Sequence, residues 1–300
     1  MNLLNSFLIK ILPLFPKFIV YKFAGRYVAG ISVKEAVSAV KSLNATGFSA
    51  TLDILGEHTI SKIEARKVTQ SYADLYQTIK NEKLNCNISV KPTHIGLDIS
   101  INEFESNLNM LAEAAFKTNN FLRIDMESSH VTTVTIDSIL KIQKKYKNVG
   151  TVLQAYLYRT LADINNLTQR QSQNIRLCKG IYKESENIAI QNRTKINNNY
   201  VRLFKKLIEK NCYVGIATHD QNLIQDIYTI IDELKIDPAQ FEFQVLYGVP
   251  MAGWLDRHLK NNFNVRVYVP FGEDWYDYSI RRLRENPGIA GYILKNMLKR

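Results

Sequence analysis

Cysteine is scarce in this sequence: Cys86, Cys178 and Cys212 are odd in number, far apart and never spaced as CxxC. That excludes a disulfide framework and the usual zinc spacings, and it fits a reducing compartment. With no histidine-rich surroundings to make it a nucleophile, Cys178 reads as a small buried apolar residue. The five histidines form neither HxH nor HExxH, so no catalytic metal signature is present. Neither GxGxxG nor GxxxxGK[ST] occurs, which removes the Rossmann fingerprint and the P-loop. No uncharged apolar run approaches the roughly 20 residues of a spanning helix. In the apolar segment 1–24, Lys10, Lys17 and Lys22 interrupt the pattern and Pro13 and Pro16 break any single helix. A basic n-region and a small-residue cleavage site are missing as well, which argues against a signal peptide. The segment reads as short amphipathic helices with basic edges, which either pack on the rest of the protein or rest on a membrane surface.

What is there points to one large enzyme-sized domain. Hydrophobic residues make up 46% and charged residues 22% of the 300, enough to bury a substantial core and too apolar for disorder. The net charge of +11 favours anionic partners, such as phosphorylated cofactors, carboxylates, nucleic acid or acidic headgroups, without choosing among them. From about residue 48, short β-branched runs alternate with helical stretches, the pattern of repeated βα units. Strands are predicted at 48–55, 87–94, 121–127, 149–156, 174–180, 213–219, 241–248 and 265–272, and helices at 101–118, 136–147, 188–210 and 223–234. That set of strands closes a (β/α)8 barrel. No Gly/Ser linker divides the chain, so residues 1–46 are expected to be a helical extension and 47–300 the barrel.

Side chains alternate faces along a strand, so one parity points into the barrel. Arg123, Asp125 and Glu127 share the inward parity of the third strand, while Ile124 and Met126 face helices. Gln154, Arg176, Glu242, Gln244, Leu246, Arg266 and Tyr268 are inward on later strands, and Lys91 ends the second. Buried charge is costly unless paired. For Arg123, Glu127, Glu242 and Arg266 the expectation is an internal salt-bridge network. Lys91, Asp125, Gln154, Arg176 and Tyr268 fall near strand C-termini, the face where barrel active sites lie.

The last helix adds a basic pair. At about 100° per residue, Tyr278, Arg281, Arg282 and Glu285 share one face, with Tyr276, Ile280 and Leu283 opposite and available to pack on the barrel. Two guanidiniums turned toward the strand ends would make a bidentate carboxylate site; turned to solvent they would be an ordinary basic surface with an i,i+4 Arg281–Glu285 pair. Lys179-Gly180 and Thr218-His219 end the fifth and sixth strands, the former suited to phosphate and the latter to hydrogen bonding.

The motifs TLDILGE (51–57), SVKPTHIGLD (89–98), RIDME (123–127), RLCKGIYKE (176–184), IATHD (216–220), FEFQVLYG (241–248) and VYVPFGEDWYDYSIRRLRENP (267–287), taken in order, resemble the proline dehydrogenase family, specifically its short monofunctional bacterial type. The resemblance implies an FAD-dependent barrel that oxidises L-proline to 1-pyrroline-5-carboxylate and passes electrons to a membrane quinone. It also implies a cytoplasmic enzyme with peripheral contact at the inner face of the membrane and no nucleic-acid partner. By that resemblance Arg281 and Arg282 bind the carboxylate, assisted by Lys91, which Asp125 holds; Tyr268, Tyr278 and Leu246 wall the ring pocket. Arg176 lies beside the flavin N5, and Asp125 and Arg176 are the catalytic pair. Gln154 and Met126 contact the isoalloxazine, Lys179, Gly180 and Ile181 the phosphate-ribose part, and Thr218 and His219 the remainder of the FAD. Glu57 resembles a gate that pairs with an arginine of the last helix when substrate binds. The chain departs from the family pattern at Ile181, usually alanine, and at Cys178, usually valine.

Two other barrel chemistries fit the residues: a metal-dependent hydrolase or lyase using Asp125, Glu127 and His219, and a Schiff-base enzyme using Lys91 or Lys179. A basic nucleic-acid or membrane module would explain the charge and predicts steep salt dependence, but no clustering at strand ends.

Overall fold

A computed structural model describes residues 17, 20, 21 and 25–285, with side chains as far as Arg282. The readings of most of the first 24 residues, and of the Leu283 and Glu285 side chains, lie outside the described residues. Eight parallel strands form a closed barrel in sequence order, as the alternation of apolar runs and helices predicts. They are β1 Ser49–Ile54, β2 Cys86–Val90, β3 Leu122–Ile124, β4 Val149–Gln154, β5 Asn174–Cys178, β6 Tyr213–Ala217, β7 Phe241–Leu246 and β8 Val265–Phe271. Closure runs along the whole of β1, from Ser49 opposite Arg266 to Ile54 opposite Phe271.

Around the barrel lie α1 Val33–Ala45, α2 Lys62–Asn81, α3 Ile101–Lys117, α4 Ser129–Ile142, α5 Thr160–Leu167, α6 Arg193–Glu209, α7 Gln221–Glu233, α8 Trp254–Lys260 and α9 Trp275–Glu285. Local chemistry starts several of them. Ser61, Ser100, Asn192 and Asp220 accept backbone N–H groups at the N-termini of α2, α3, α6 and α7, and Ser32 with Glu35 forms a capping box on α1. The helices differ from expectation at two starts. Helix α4 begins at Ser129, before the predicted 136, because tertiary packing overrides the low helix propensity of Val131–Thr135. Helix α6 begins at Arg193 rather than 188, where Asn192 caps it.

The apolar core is the layer between strands and helices, with Leu52, Ile88, Val90, Ile124, Leu177, Ile216, Phe243 and Val267 facing outward from the barrel wall. The inward parity of the same strands carries Thr51, Ser89, Arg123, Arg176, Glu242 and Gln244, all buried. Helix α1, through Ala36 and Val40, packs against β8 and β1 and fills the outer position that a helix following β8 would otherwise take. Helix α9 instead lies over the strand C-termini, where Tyr278 and Ile280 pack with Tyr27, Val28 and Leu55.

Candidate active site

One hydrogen-bonded chain runs through the barrel interior from its deep end to its mouth. Arg266 Nε donates to Glu242 Oε1 at 2.7 Å, and Gln244 Nε2 donates to the same oxygen at 2.6 Å. Gln244 Oε1 accepts from Arg176 Nε at 2.5 Å, and Arg176 Nη1 donates to Asp125 Oδ1 at 2.7 Å. Asp125 also accepts from Ser89 Oγ at 2.5 Å and, on its other oxygen, from Tyr268 OH at 3.0 Å. The Arg176 guanidinium lies 5.2 Å from the Tyr268 ring centroid. Asp125 thus binds three donors and locks a buried guanidinium and a phenol side by side.

The expected salt-bridge network of Arg123, Glu127, Glu242 and Arg266 holds only for the last two. Arg123 donates to the Thr151 and Asn174 carbonyls at 2.8 and 2.7 Å. Burial in that uncompensated setting pulls its pKa down to about 9. Glu127 instead accepts the Thr93 N–H and hydroxyl at 2.8 and 2.7 Å.

Lys91 is the second correction. It is held by Asp53, 2.8 Å away, and not by Asp125, whose oxygens face Arg176 and Tyr268. Burial lowers the Lys91 pKa, but the carboxylates Asp53 and Asp125 more than offset it, so the net shift is upward and the ammonium is retained. Asp53 escaped the sequence reading although parity reveals it: Thr51 and Asp53 share the inward face of β1. Tyr182 was also missed. Its phenol is held well above the ordinary value by burial, with Glu127, Glu57 and Asp125 pushing the same way and Arg281 opposing. That set of neighbours puts it at the mouth. The loop after β5 has no periodicity to announce it, and its only signal is its place within the RLCKGIYKE motif.

Helix α9 covers this mouth. Arg281 Nη1 lies 3.7 Å from Glu57 Oε1, and both Arg281 and Arg282 are within 6 Å of the Tyr278 ring centroid, at 5.8 and 5.3 Å. Arg282 is buried and Arg281 half-buried, so the helix turns Arg282 away from solvent and leaves Arg281 at the rim beside Glu57. Nor does it divide as expected into a polar and an apolar face, since Tyr278, Ser279, Ile280 and Arg282 are all buried. Arg282 also approaches His219, which burial first and this arginine second depress to about 4. The neutral His219 ring accepts the Leu246 N–H on Nε2 at 3.0 Å, which puts its own proton on Nδ1.

The expected cofactor residues occupy the β4 to β6 side of the mouth. Gln154 is 2% exposed and its Oε1 has no hydrogen-bond partner, an orphan acceptor that a ligand N–H would satisfy. Lys179 pairs with Asp220 at 2.5 Å, Thr218 is buried and accepts the Asp220 N–H, and Ile181 is exposed. Gly180 has φ +109° and an added Cβ would lie 2.1 Å from the Tyr156 ring, so no other residue fits there. Met126, by contrast, joins the apolar core layer. Cys178 is half-buried, and burial raises its thiol to about 12, away from nucleophilic use.

Comparison with known proteins identifies the family and the fold. The family model described as Proline dehydrogenase matches residues 36–293. The chain is 37% identical over 277 residues to Proline dehydrogenase 2 of Bacillus subtilis, covering 92% of this chain and 91% of that protein. It is 32% identical over 285 residues to Proline dehydrogenase of Deinococcus radiodurans, covering 93% and 91%. Among solved structures, proline utilization A (PutA) from Bdellovibrio bacteriovorus inactivated by N-propargylglycine superposes with a TM-score of 0.85 at 24% identity, over 94% of this chain and 37% of that one. At that identity the likeness speaks to the barrel fold alone.

Proposed function

The chain belongs to the proline dehydrogenase family and is an oxidoreductase acting on proline in proline catabolism, and from that premise we propose that it binds FAD and L-proline at the strand-end mouth and forms 1-pyrroline-5-carboxylate. The observation that carries this reading is the Arg176–Asp125–Tyr268 cluster lying beside the Lys91 ammonium beneath the arginine pair of α9. A small anion with a reactive ring needs those elements together: cations for its carboxylate, a packed wall for its ring and a fixed charge at the redox partner.

The residues suit a flavin on an observation of their own. The orphan Gln154 Oε1 can take a ring N–H, and Gly180, flanked by Lys179, admits close backbone approach to a phosphate. Thr218 and the Nδ1–H of His219 would complete the cradle, with Ile181 at its open edge. A flavin held by these residues would supply the oxidising chemistry, as acceptor for the hydride of proline with a membrane quinone as the final electron acceptor. Arg176 presents positive charge where negative charge accumulates, and Asp125 fixes the orientation of Arg176 and Tyr268. With three donors already bound to it, Asp125 acts as an orienting group rather than a proton acceptor. Arg281, Arg282 and Lys91 bind the carboxylate, while Tyr268, Tyr278, Leu246 and Tyr182 shape the ring pocket. Glu57 draws Arg281 toward the β1 loop, as a gate would. Peripheral contact with the inner face of the cytoplasmic membrane follows from the quinone acceptor and the basic, apolar N-terminal segment.

A Schiff-base reaction is disfavoured by one observation: both candidate lysines are ion-paired, Lys91 to Asp53 and Lys179 to Asp220, whereas a nucleophilic lysine must be neutral. The visible spectrum of the purified protein tests the proposal. The expected result is a yellow protein that bleaches with proline; a folded, colourless protein that takes up no added FAD overturns it.

A further inference from the structure

We propose that Tyr72, which stands on α2 outside the barrel wall, is a positioning residue for the substrate site, fixing the Asp53 carboxylate that in turn aims the Lys91 ammonium into the mouth. The proposal rests on the reading of Lys91 as a proline contact.

Tyr72 is fully buried and its hydroxyl reaches past the outer layer to the end of β1. There it lies 3.0 Å from Asp53 Oδ1, accepts the Ile54 N–H at 3.0 Å and lies 3.0 Å from the Ile54 carbonyl. The other carboxylate oxygen, Oδ2, accepts from Lys91 Nζ at 2.8 Å. The two oxygens of one buried carboxylate are therefore divided between an outer-helix hydroxyl and an inner ammonium. Holding Oδ1 stops the carboxylate from rotating about its own axis, so the direction in which Lys91 is drawn is set from outside the barrel.

The partners leave little alternative. Asp53 is fully buried, and water cannot replace a lost donor on a carboxylate in that position at low cost. The Tyr72 phenol stays protonated, since burial and the adjacent Asp53 charge hold its pKa well above the ordinary value. Asp53, Asp125 and Glu127 favour the Lys91 ammonium, while burial pushes the Asp53 carboxyl up and Lys91 and the Tyr268 hydroxyl, a further contact of that carboxylate, pull it down. The His94 ring lies edge-on to Tyr72 at 6.3 Å and is itself kept neutral by burial and then by Lys91. Helix α2 starts just after the loop bearing Glu57, with Ser61 as its cap, so the helix that follows Glu57 also orients the Lys91 ammonium.

The test uses the holoprotein and cyclopentanecarboxylate, a ring carboxylate without an oxidisable amine, with binding read by calorimetry. Tyr72→Phe is expected to weaken binding about tenfold, the effect of one charge-assisted hydrogen bond. Asp53→Asn should weaken it at least as much, and the double variant should be no worse than Asp53→Asn alone. Because its effect on binding runs through the Lys91 ammonium, Tyr72→Phe should add nothing to Lys91→Met. A purely structural tyrosine would lower the melting temperature and leave binding by the folded protein unchanged. Wild-type affinity in Tyr72→Phe, or effects that multiply in the double variant, overturns the proposal. Lys91→Met separates the two levels. Unchanged binding in Lys91→Met removes Lys91 from the site and this inference with it; weakened binding there, with normal binding in Tyr72→Phe, overturns the Tyr72 step alone. If Tyr72→Phe does not fold, Asp53→Asn decides, and wild-type binding in that variant overturns the proposal.

Discussion

Asp125→Asn isolates the central claim about this barrel interior, that one carboxylate holds a buried guanidinium in place. The substitution keeps the shape but removes the charge and turns one acceptor into a donor facing Arg176 or Tyr268. At the 2.7 Å separation of Arg176 and Asp125, the gross Coulomb attraction is roughly 6 kcal/mol at an effective dielectric of about 20. Desolvation of both groups offsets much of that, yet removing one partner of a buried pair still costs about 3–5 kcal/mol because the other charge is stranded. The side chains are 9% and 14% exposed, so solvent provides little relief. At about 2–4 °C per kcal/mol, this corresponds to a melting-temperature drop of roughly 6–20 °C. Activity should fall with stability, since Arg176 and Tyr268 both lose their orientation. The deciding assay is a double-mutant cycle with Arg176→Gln, read by chemical unfolding. The double variant should be less destabilised than the two single changes together, by about 2 kcal/mol or more. Additive effects, or an Asp125→Asn protein as stable as the parent, would refute the pairing argument.

Two further outcomes follow from the same geometry. His258, stacked 3.8 Å from the Phe243 ring, and His94 are both buried and depressed to about 4, chiefly by burial and then by Arg257 and Lys91 respectively. Their ordinary value is about 6.5, so the stability from keeping them neutral is complete above that pH and lost as pH falls toward 4. Each contributes on the order of 3 kcal/mol across that window. Urea midpoints measured from pH 7 to 4 should fall steadily, and a flat profile would contradict the assignment. Arg281→Met should raise the proline KM about 10- to 100-fold while FAD remains bound, the loss of a bidentate contact to a carboxylate; an unchanged KM would move the carboxylate site elsewhere.

The barrel was legible because both signals it needs are local. β-Branched runs mark the strands, and parity marks which side chains enter. Every inward residue of the chain from Arg266 to Tyr268 is readable that way. Parity does not say which inward neighbour a side chain meets across the barrel, so it gave no check on the Asp125 partner that the family resemblance implied for Lys91. Asp53 and Asp125 both point inward, and choosing between them needs the strand stagger, which arises only on closure. The β3 strand is shorter than the predicted 121–127, because after Ile124 the chain leaves the regular ladder while Asp125 still donates its N–H to Val90. Tyr182 and the start of α4 were hidden for opposite reasons, one by lying in an aperiodic loop and the other by a β-branched run inside a helix.

The placement of α1 against β8 and β1 separates two demands that most barrels impose on the same elements. Because α1 closes the outer ring, α9 is released from wall duty and its contacts are with the mouth and with Tyr27, Val28 and Leu55. The arginine pair and the strand-to-helix core are therefore carried on different stretches of chain. Variation within 275–282 can reshape what the mouth accepts while the hydrogen-bond ladder and the strand-to-helix core stay as they are. For directed evolution, that short segment is the place to diversify when a new ring acid is wanted, and the barrel wall is the part to leave fixed.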